Sequence, residues 1–502
     1  MTTTLADHFA EHAQSDPDAP ALIWQQDERI SYGELQQMVD SADAELARLE
    51  LPLDRPVGIR AKKSPEAIAL VLACLRQRRP FLLPSVELPV EVLDQLFAQA
   101  GASRVLTPTG ASTNGGGMDA GEVTGSEESQ WPPPAPEVSF MLTTSGSTGL
   151  PKIVPLEPDG IDRFTEWAAG QFDIRPGATV INYAPLNFDL CLLDIWTTLK
   201  YGGCVALVDQ DQATSGAYLA DLITDNEVNV VQAVPMLYRL LIDVARGDGR
   251  TFPSVRHVIS TGDKMPGSTL KELPGLFPNA RFYNIYGCTE TNDSLMAELD
   301  ISGGDVPAQI PIGQPLPGVD ARVESDGEVV EGEGVGELLV WTPFQTRGYL
   351  KAALNEGKFI TKTGGADGER PYYRTGDIVR RHGDGTLTLE GRSDFYVKVR
   401  GVRVSTQVVE QAIQEHPDVI EVGVVAVPDE LAGARLHARV RKEPDSKLNS
   451  LSLRQHCSTR LARTEMPSSI DIVTEPLPKT STGKIDRKQI GPIKKERARA
   501  NG

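Results

Sequence analysis

The feature that most constrains this chain is an apolar segment that runs directly into a loop of small residues. Residues 138–142 (VSFML) precede residues 143–149 (TTSGSTG). A buried strand followed by glycines and hydroxyl residues presents backbone N–H groups and O–H donors without bulky side chains, which is what a polyphosphate requires. The GxxxxGK[ST] spacing of a Walker loop is absent. Taken alone, the segment also fits a flexible Ser/Gly turn.

The rest of the chain alternates strand-like and helical patterns, as in residues 228–245 (VNVVQAVPMLYRLLIDVA). This alternation predicts an α/β protein with largely buried strands. A chain of 502 residues exceeds one ordinary core, so we expect at least two domains. A β-rich segment closes near residues 391–394, and a compact pattern of strands and helices follows. We therefore predict a large N-terminal domain over 1–392 and a small α+β domain over 393–502.

Composition and charge exclude several classes of protein. The net charge of −19 argues against nucleic acid as the main partner, because a polyanion would be repelled. The longest apolar run, residues 67–75, is far shorter than the roughly 20 residues that span a bilayer. The start of the chain has no basic residue before Arg29, so we expect no secretory signal. Five scattered cysteines fit a reducing compartment, and we predict a cytoplasmic protein that contacts no membrane.

Four further motifs follow the loop. They are residues 283–290 (YNIYGCTE), residues 373–377 (YRTGD), residues 391–403 with GRSD and KVRGVR, and residues 478–487 (PKTSTGKIDR). Each alone fits a loop or a surface charge. In this order, and with the loop, they resemble the adenylate-forming superfamily of acyl-CoA synthetases, luciferases and nonribosomal peptide synthetase adenylation domains. The departures are Ile153, where glycine is usual, Cys288, where proline is common, and Ser405, where an acid often follows Arg403.

The resemblance implies a fold in which the large domain has β-sheets sandwiched with helices and the small domain is a mobile lid. It also implies ATP and Mg²⁺ as cofactors. Glu290 would hold Mg²⁺, Lys484 would be the catalytic lysine aided by Thr144, and Asp394 would be the hinge. The implied nucleotide-binding residues are Thr143, Thr144, Ser145, Gly146, Ser147, Thr148, Gly149, Lys152, Asn284, Ile285, Tyr286, Gly287, Thr289, Asp377 and Arg392.

The implied reaction needs no general base. A substrate carboxylate is already ionised at pH 7 and can attack the α-phosphorus of ATP directly. Cations and fixed donors must offset the charge that develops on phosphate. In the superfamily a thiol then takes the acyl group, and we find no carrier attachment site after residue 487. We therefore expect delivery to a separate carrier protein, as in nonribosomal peptide and antibiotic biosynthesis.

Residues 187–196 (NFDLCLLDIW) point to the substrate class. They resemble the FDxSxxDI segment of amino-acid adenylation domains, in which the first aspartate, here Asp189, pairs with the substrate's amino group. A buried ammonium needs such a partner. Asp189 could instead cap the following helix, and we expect Asp194 to be structural. The same alignment implies a pocket lined by Leu190, Leu193, Ala233, Ile259, Thr261, Ile285, Asp293 and Ser294, with Lys484 at the substrate carboxylate.

Two questions stay open at this point. Asp293 could meet a second amine, a guanidinium or a hydroxyl, or it could point to solvent. The chain could also be an acyl- or aryl-CoA synthetase, although Asp189 argues against that. A non-catalytic nucleotide-binding relative is the remote alternative, but such a protein should have lost Lys484, Glu290 or Asp377, and all three are present.

Overall fold

A computed structural model gives the fold. It describes residues 4–25, 27–53, 55–109, 117–123, 138–144, 150–363, 368–392, 396–399, 402–429, 433–461, 463, 465–479 and 485–491. Over these residues the chain forms a large unit and a small one. The large unit comprises Met1–Arg322, Leu339–Arg374 and Asp384–Thr388, and the small one comprises Val323–Leu338, Thr375–Gly383 and Leu389–Gly502. The α/β class, with a large sheet-rich N-terminal part and a smaller C-terminal part, is confirmed. The boundary at 392/393 stays a prediction.

The helices begin where the sequence supplies caps. In α1 and α2 the capping residues Thr4 and Ser31 accept an N–H bond, and an acid three residues later bonds back. The helices are α1 (Leu5–Ser15), α2 (Tyr32–Arg48), α3 (Pro65–Arg76), α4 (Val90–Ala100), α5 (Pro158–Phe172), α6 (Thr198–Lys200), α7 (Gly216–Asp225), α8 (Pro235–Asp248), α9 (Gly267–Leu276), α10 (Thr406–Gln414) and α11 (Ser450–Ser458). A π-helical turn, Leu192–Thr197, runs directly into α6. In the described part of the chain, every helix is too short or too polar to span a bilayer.

The strands are mostly short. They are β1 (Pro20–Trp24), β2 (Glu28–Ser31), β3 (Val57–Ile59), β4 (Phe81–Leu82), β5 (Arg104–Thr109), β6 (Gly117–Glu122), β7 (Phe140–Thr144), β8 (Lys152–Leu156), β9 (Thr179–Asn182), β10 (Cys204–Leu207), β11 (Val230–Ala233), β12 (His257–Ser260), β13 (Arg281–Cys288), β14 (Asn292–Leu299), β15 (Pro311–Pro315), β16 (Asp320–Ser325), β17 (Glu328–Val329), β18 (Gly334–Trp341), β19 (Phe359–Thr363), β20 (Glu369–Arg381), β21 (Leu387–Arg392), β22 (Tyr396–Val399), β23 (Val402–Ser405), β24 (Val419–Asp429), β25 (Gly433–Lys442) and β26 (Ser469–Val473).

The large unit contains two sheets built mainly from parallel strands. The first contains the strand order β2-β1-β10-β9-β11-β12-β13-β14-β15. Strands β1, β10, β9, β11, β12 and β13 run parallel to one another, whereas the β1–β2, β13–β14 and β14–β15 pairs are antiparallel. In the second, β5, β3, β4 and β7 are parallel, with β6 and β8 antiparallel at the edges. Parallel strands buried on both faces account for the continuous apolar segments of the sequence. The carboxyl ends of such strands are where α/β proteins bind ligands.

The small unit has a core of its own. Strands β24, β25 and β26 form a sheet, and β22 pairs with β23 as a hairpin. Helices α10 and α11 contribute buried side chains, including Val409, Ile413 and Leu453, to one apolar cluster with the inner faces of β24 and β25. This unit therefore buries an apolar core, as an independently folding domain must.

Candidate active site

The predicted phosphate loop connects two paired strands. Thr144 of β7 lies opposite Lys152 of β8, and Thr143 lies opposite Ile153. Ser145, Ser147 and Thr148, with Gly146 and Gly149, lie outside the described residues. Thr143, Thr144 and Lys152 are all partly exposed, whereas Ile153 is buried in the core. Ile153, which stands where the superfamily usually has glycine, thus contributes an apolar side chain to the core beside the sheet that positions the loop.

Lys152 lies at the edge of a buried cluster around Glu290. Its Nζ atom is 3.4 Å from Tyr349 Oη and 4.5 Å from the centre of that ring. Tyr349 Oη donates to Glu290 Oε1 at 2.5 Å, and it lies 3.1 Å from Tyr373 Oη. Burial, reinforced by the Glu290 charge, raises the pKa of Tyr349 above its usual value. The phenol therefore stays protonated and fixes the orientation of the Glu290 carboxylate.

The turn that carries Glu290 depends on a glycine. The β13–β14 hairpin has a bulge at Tyr286 and Gly287. A Cβ atom on Gly287 would lie 2.3 Å from the carbonyl oxygen of Asn292. The backbone of Asn292 has a φ of 58°. The turn projects the Glu290 side chain inward, and Glu290 is 5% exposed. The carbonyl oxygen of Glu290 accepts the N–H of Thr346 at 3.0 Å. Thr289, next to it, stays partly exposed.

The two residues predicted to frame adenine lie on either side of a buried residue along β13. Asn284 and Tyr286 are partly exposed, while Ile285 between them is buried. The Asn284 amide donates to the carbonyl oxygen of Pro311 at 2.7 Å. This bond fixes the orientation of the Asn284 side chain.

The predicted ribose-binding residues lie in the small unit and pair with each other. Arg392 Nη1 contacts Asp377 Oδ1 at 2.9 Å, and Arg392 Nη2 donates to the carbonyl oxygen of Thr375 at 3.1 Å. Gly376 adopts a φ of 78°, a conformation that favours glycine. Asp377 N in turn bonds to Thr375 Oγ1 at 3.0 Å. Thr375 and Asp377 of the YRTGD motif thus form one hydrogen-bonded group with Arg392.

Asp189 lies in a turn between β9 and the π-helical segment. The N-cap position of that segment is Cys191, not Asp189. Asp293, which follows the Glu290 turn on β14, is partly exposed. Burial, and after it the charge of Asp189, raises the pKa of Asp293 to about 8. The structure therefore brings these two predicted pocket carboxyl groups close enough to influence each other.

Most of the other predicted pocket residues are buried. Ile259, Ile285 and Leu193 belong to one apolar cluster, and Ala233 belongs to a second. Thr261 follows the carboxyl end of β12, and its N–H donates to the carbonyl oxygen of Ala233 at 3.2 Å. Ser294 Oγ donates to Asn292 O and Thr291 Oγ1, both at 3.0 Å. Leu190 is partly exposed, so Leu190, Asp189 and Asp293 are the accessible members.

Lys484 and Asp394 lie outside the described residues, but the base of the Lys484 segment is described. Lys479 and Ile485 form an antiparallel bridge, and Asp486 N donates to Pro478 O at 2.8 Å. Arg487 makes two hydrogen bonds to the Glu410 carboxylate, at 2.6 and 3.0 Å. The small unit therefore fixes both ends of the segment that carries the predicted catalytic lysine.

Sequence reasoning missed Tyr349. Tyr349 follows Gly348 in a turn-rich stretch that showed no recognisable pattern, 59 residues after Glu290. Within the described ranges, no group of three or more His, Cys, Asp and Glu side chains could hold a metal ion by itself. Mg²⁺ commonly uses one or two carboxylates together with substrate phosphates, so a single buried Glu290 fits that mode of binding.

The chain matches known protein families over most of its length. The AMP-binding enzyme family matches residues 9–350, and the AMP-binding enzyme C-terminal domain matches residues 408–484. The chain is 25% identical to a D-alanine–D-alanyl carrier protein ligase of Bacillus licheniformis, over 97% of this chain and 98% of that protein. It is 28% identical to an L-proline–[L-prolyl-carrier protein] ligase of Pseudomonas fluorescens, over 94% and 95% of the two chains.

Solved structures share the fold. The o-succinylbenzoate CoA synthetase of Bacillus subtilis, in complex with its acyl-adenylate intermediate, matches with a TM-score of 0.81 and 22% identity over 97% of this chain and 98% of that one. A four-domain nonribosomal peptide synthetase bound to AMP and glycine matches with a TM-score of 0.79 and 22% identity, over 98% of this chain and 37% of the synthetase.

Proposed function

Because the chain belongs to the AMP-binding enzyme family and is an adenylate-forming ligase, we propose that it activates an amino acid and passes it to a separate carrier protein. In the first step an oxygen of the substrate carboxylate attacks the α-phosphorus of ATP. A bond to AMP forms, and the bond to pyrophosphate breaks. In the second step a carrier thiolate attacks the activated carbonyl, AMP leaves, and the thiol proton passes to solvent.

The observation that carries this proposal is the Asp189 carboxylate in a largely apolar environment. Its chain neighbours Phe188 and Leu190 pack against the apolar cluster that contains Leu193, Ile259 and Ile285. An ammonium entering such surroundings loses water and needs a carboxylate partner. A fatty or aryl acid carries no ammonium for the Asp189 carboxylate to recognise. The names of the two carrier protein ligases, which act on D-alanine and L-proline, support an amino acid with a small side chain.

The residues present fit ATP. Thr143, Thr144 and Lys152 flank the phosphate loop, and an ammonium beside backbone donors is suited to phosphate oxygens. We propose that Glu290, held by Tyr349, is the protein ligand of Mg²⁺. When bound, Mg²⁺ would offset phosphate charge. Asp377 is suited to the ribose hydroxyls because an ionised carboxylate accepts two hydrogen bonds.

Lys484 would approach the substrate carboxylate and the α-phosphate, bringing a positive charge to the point where two anions meet. The Asp394 hinge, the boundary at 392/393 and movement of the small domain belong to this proposal as predictions. Transfer to a carrier protein would place the reaction in nonribosomal peptide synthesis, in a cytoplasmic setting.

The test is amino-acid-dependent exchange of labelled pyrophosphate into ATP by the full chain. We expect one amino acid or a small group of them to stimulate exchange, and we expect Asp189→Asn to abolish that stimulation. A panel in which fatty or aryl acids stimulate exchange and no amino acid does would instead assign an acyl- or aryl-CoA synthetase. A chain that binds ATP yet exchanges with no acid would be a non-catalytic relative.

A further inference from the structure

A buried lysine contacts the strand end that leads to Asp189. Lys63 directly precedes Ser64, the N-cap residue of α3, and it is 4% exposed. Its ammonium donates to the carbonyl oxygens of Asn182 at 2.8 Å and Ala184 at 3.0 Å, with Tyr183 O at 3.5 Å. Lysine is rarely this buried. Here its ammonium contacts three successive carbonyl oxygens at and just after the end of β9.

A chain of buried side chains continues from Asn182 to the residue after Asp189. Asn182 Nδ2 donates to Asp194 Oδ2 at 3.1 Å. Gln232 Nε2 donates to Asp194 Oδ1 at 2.8 Å and to the carbonyl oxygen of Leu190 at 3.1 Å. Asp194 is fully buried. The structural role that we expect for Asp194 is therefore to join β9 and β11 to the backbone beside Asp189.

The turn that carries Asp189 is closed on itself by Cys191. Cys191 Sγ donates to Pro185 O at 3.2 Å and lies 3.5 Å from Asn182 Nδ2. Leu192 N also donates to Asp189 O at 2.8 Å. Lys63 holds the entry to this turn, and Gln232 holds its exit. Buried hydrogen-bond networks of this kind restrict a backbone to one conformation.

We propose that Lys63, acting through Asn182, Asp194 and Gln232, is a positioning residue that holds Asp189 where it meets the amino group of the substrate. The inference rests on the proposed role of Asp189. It assigns substrate selectivity to a lysine more than 100 residues earlier in the chain. Buried polar groups of this kind cost free energy. In keeping with that cost, burial lowers the pKa of Lys63 to about 7.

The test compares Lys63→Met with wild type on an amino acid and on its deamino analogue. Methionine keeps much of the stem volume and removes the ammonium. We expect kcat/KM for the amino acid to fall about tenfold or more, while the value for the deamino analogue changes less than about threefold. The KM for ATP should stay within about twofold. Selectivity for the α-amino group would therefore fall.

Lys200 offers a matched control, because it is a second buried lysine of the same unit. It is 6% exposed, and it bonds to Asp162 Oδ1 at 2.7 Å and Thr165 Oγ1 at 3.0 Å, on α5. Lys200→Met also removes a buried ammonium, but one that bonds to α5 and not to the end of β9. We expect it to lower the melting temperature and to leave selectivity for the amino group unchanged.

Gln232→Met is the second variant. It removes the hydrogen bonds from Gln232, on β11, to Asp194 and to the carbonyl oxygen of Leu190, and it leaves Lys63 in place. It should also lower selectivity, and it decides the question if Lys63→Met does not fold. If Lys63→Met folds and keeps the wild-type selectivity for the amino group, the proposal is overturned. If Lys63→Met does not fold, wild-type selectivity in Gln232→Met overturns it. Equal losses for the two acids would do so as well. If wild type shows no amino-acid-dependent exchange, the proposed function itself fails, and that result is distinct.

Discussion

Removing one phenol oxygen at Tyr349 should weaken the magnesium site. Tyr349 Oη bonds to the Glu290 carboxylate at 2.5 Å, to Tyr373 Oη at 3.1 Å and to Lys152 Nζ at 3.4 Å. Tyr349→Phe keeps the ring, which packs against Phe359 with ring centres 5.8 Å apart. The variant therefore loses hydrogen bonds and little packing. Glu290 stays buried, but its orientation is no longer fixed by the phenol.

A hydrogen bond to a charged group contributes about 1.5–3 kcal/mol. If all of it acts on MgATP binding and turnover, kcat/KM for ATP falls about 10- to 150-fold. We expect the loss to appear in pyrophosphate exchange as a higher Mg²⁺ requirement, with the KM of the amino acid nearly unchanged. Titrating Mg²⁺ at fixed ATP measures this directly.

Tyr372, which precedes Tyr373 on β20, supplies the control because its phenol also bonds to a carboxylate. Its phenol donates to Asp320 Oδ2, also at 2.5 Å. Tyr372→Phe should reduce stability and leave the Mg²⁺ dependence as in wild type. A Tyr349→Phe enzyme with wild-type Mg²⁺ dependence would refute the role given to the Tyr349–Glu290 bond.

The remaining predictions concern other positions. Lys484→Ala should lose most exchange activity yet bind ATP in equilibrium titration, and near-full exchange would contradict its role. Gly287→Ala should cost about 1–3 kcal/mol in denaturant unfolding, because its Cβ would lie 2.3 Å from a carbonyl oxygen. Gly247→Ala on α8, where a Cβ meets nothing within 4 Å, should not destabilise. Because the pKa of Asp293 is raised from 3.8 to about 8, the folded state holds an extra proton in that window. The contribution of Asp293 to stability should therefore fall as pH rises through that window, by at most about 1.4 kcal/mol per pH unit, and Asp293→Asn should remove this contribution.

The α/β class was predictable because buried parallel strands leave continuous apolar segments such as residues 204–208 (CVALV). The Glu290 turn was predictable as a motif, but its geometry was not. The bulge at Gly287 depends on the register of β13 against β14, which is set by contacts along both strands. Local sequence does not carry that information.

The partners of the site residues were less predictable than the residues themselves. Tyr349 reaches Glu290 across 59 residues, and Lys63 reaches Asn182 across 119. Neither contact has a local pattern, because tertiary packing alone brings the side chains together. Nothing in the local sequence distinguishes Lys63 from the adjacent Lys62, and lysines are normally exposed.

The central claim is that the acid joined to AMP carries an α-amino group recognised by Asp189. Trapping the adenylate with hydroxylamine and identifying the hydroxamate by mass spectrometry tests it most directly. A mixture of amino, fatty and aryl acids should give an amino-acid hydroxamate with the wild-type chain and none with Asp189→Asn. A fatty or aryl hydroxamate as the sole product, or an Asp189→Asn enzyme that still yields the amino-acid product at the wild-type level, would contradict it.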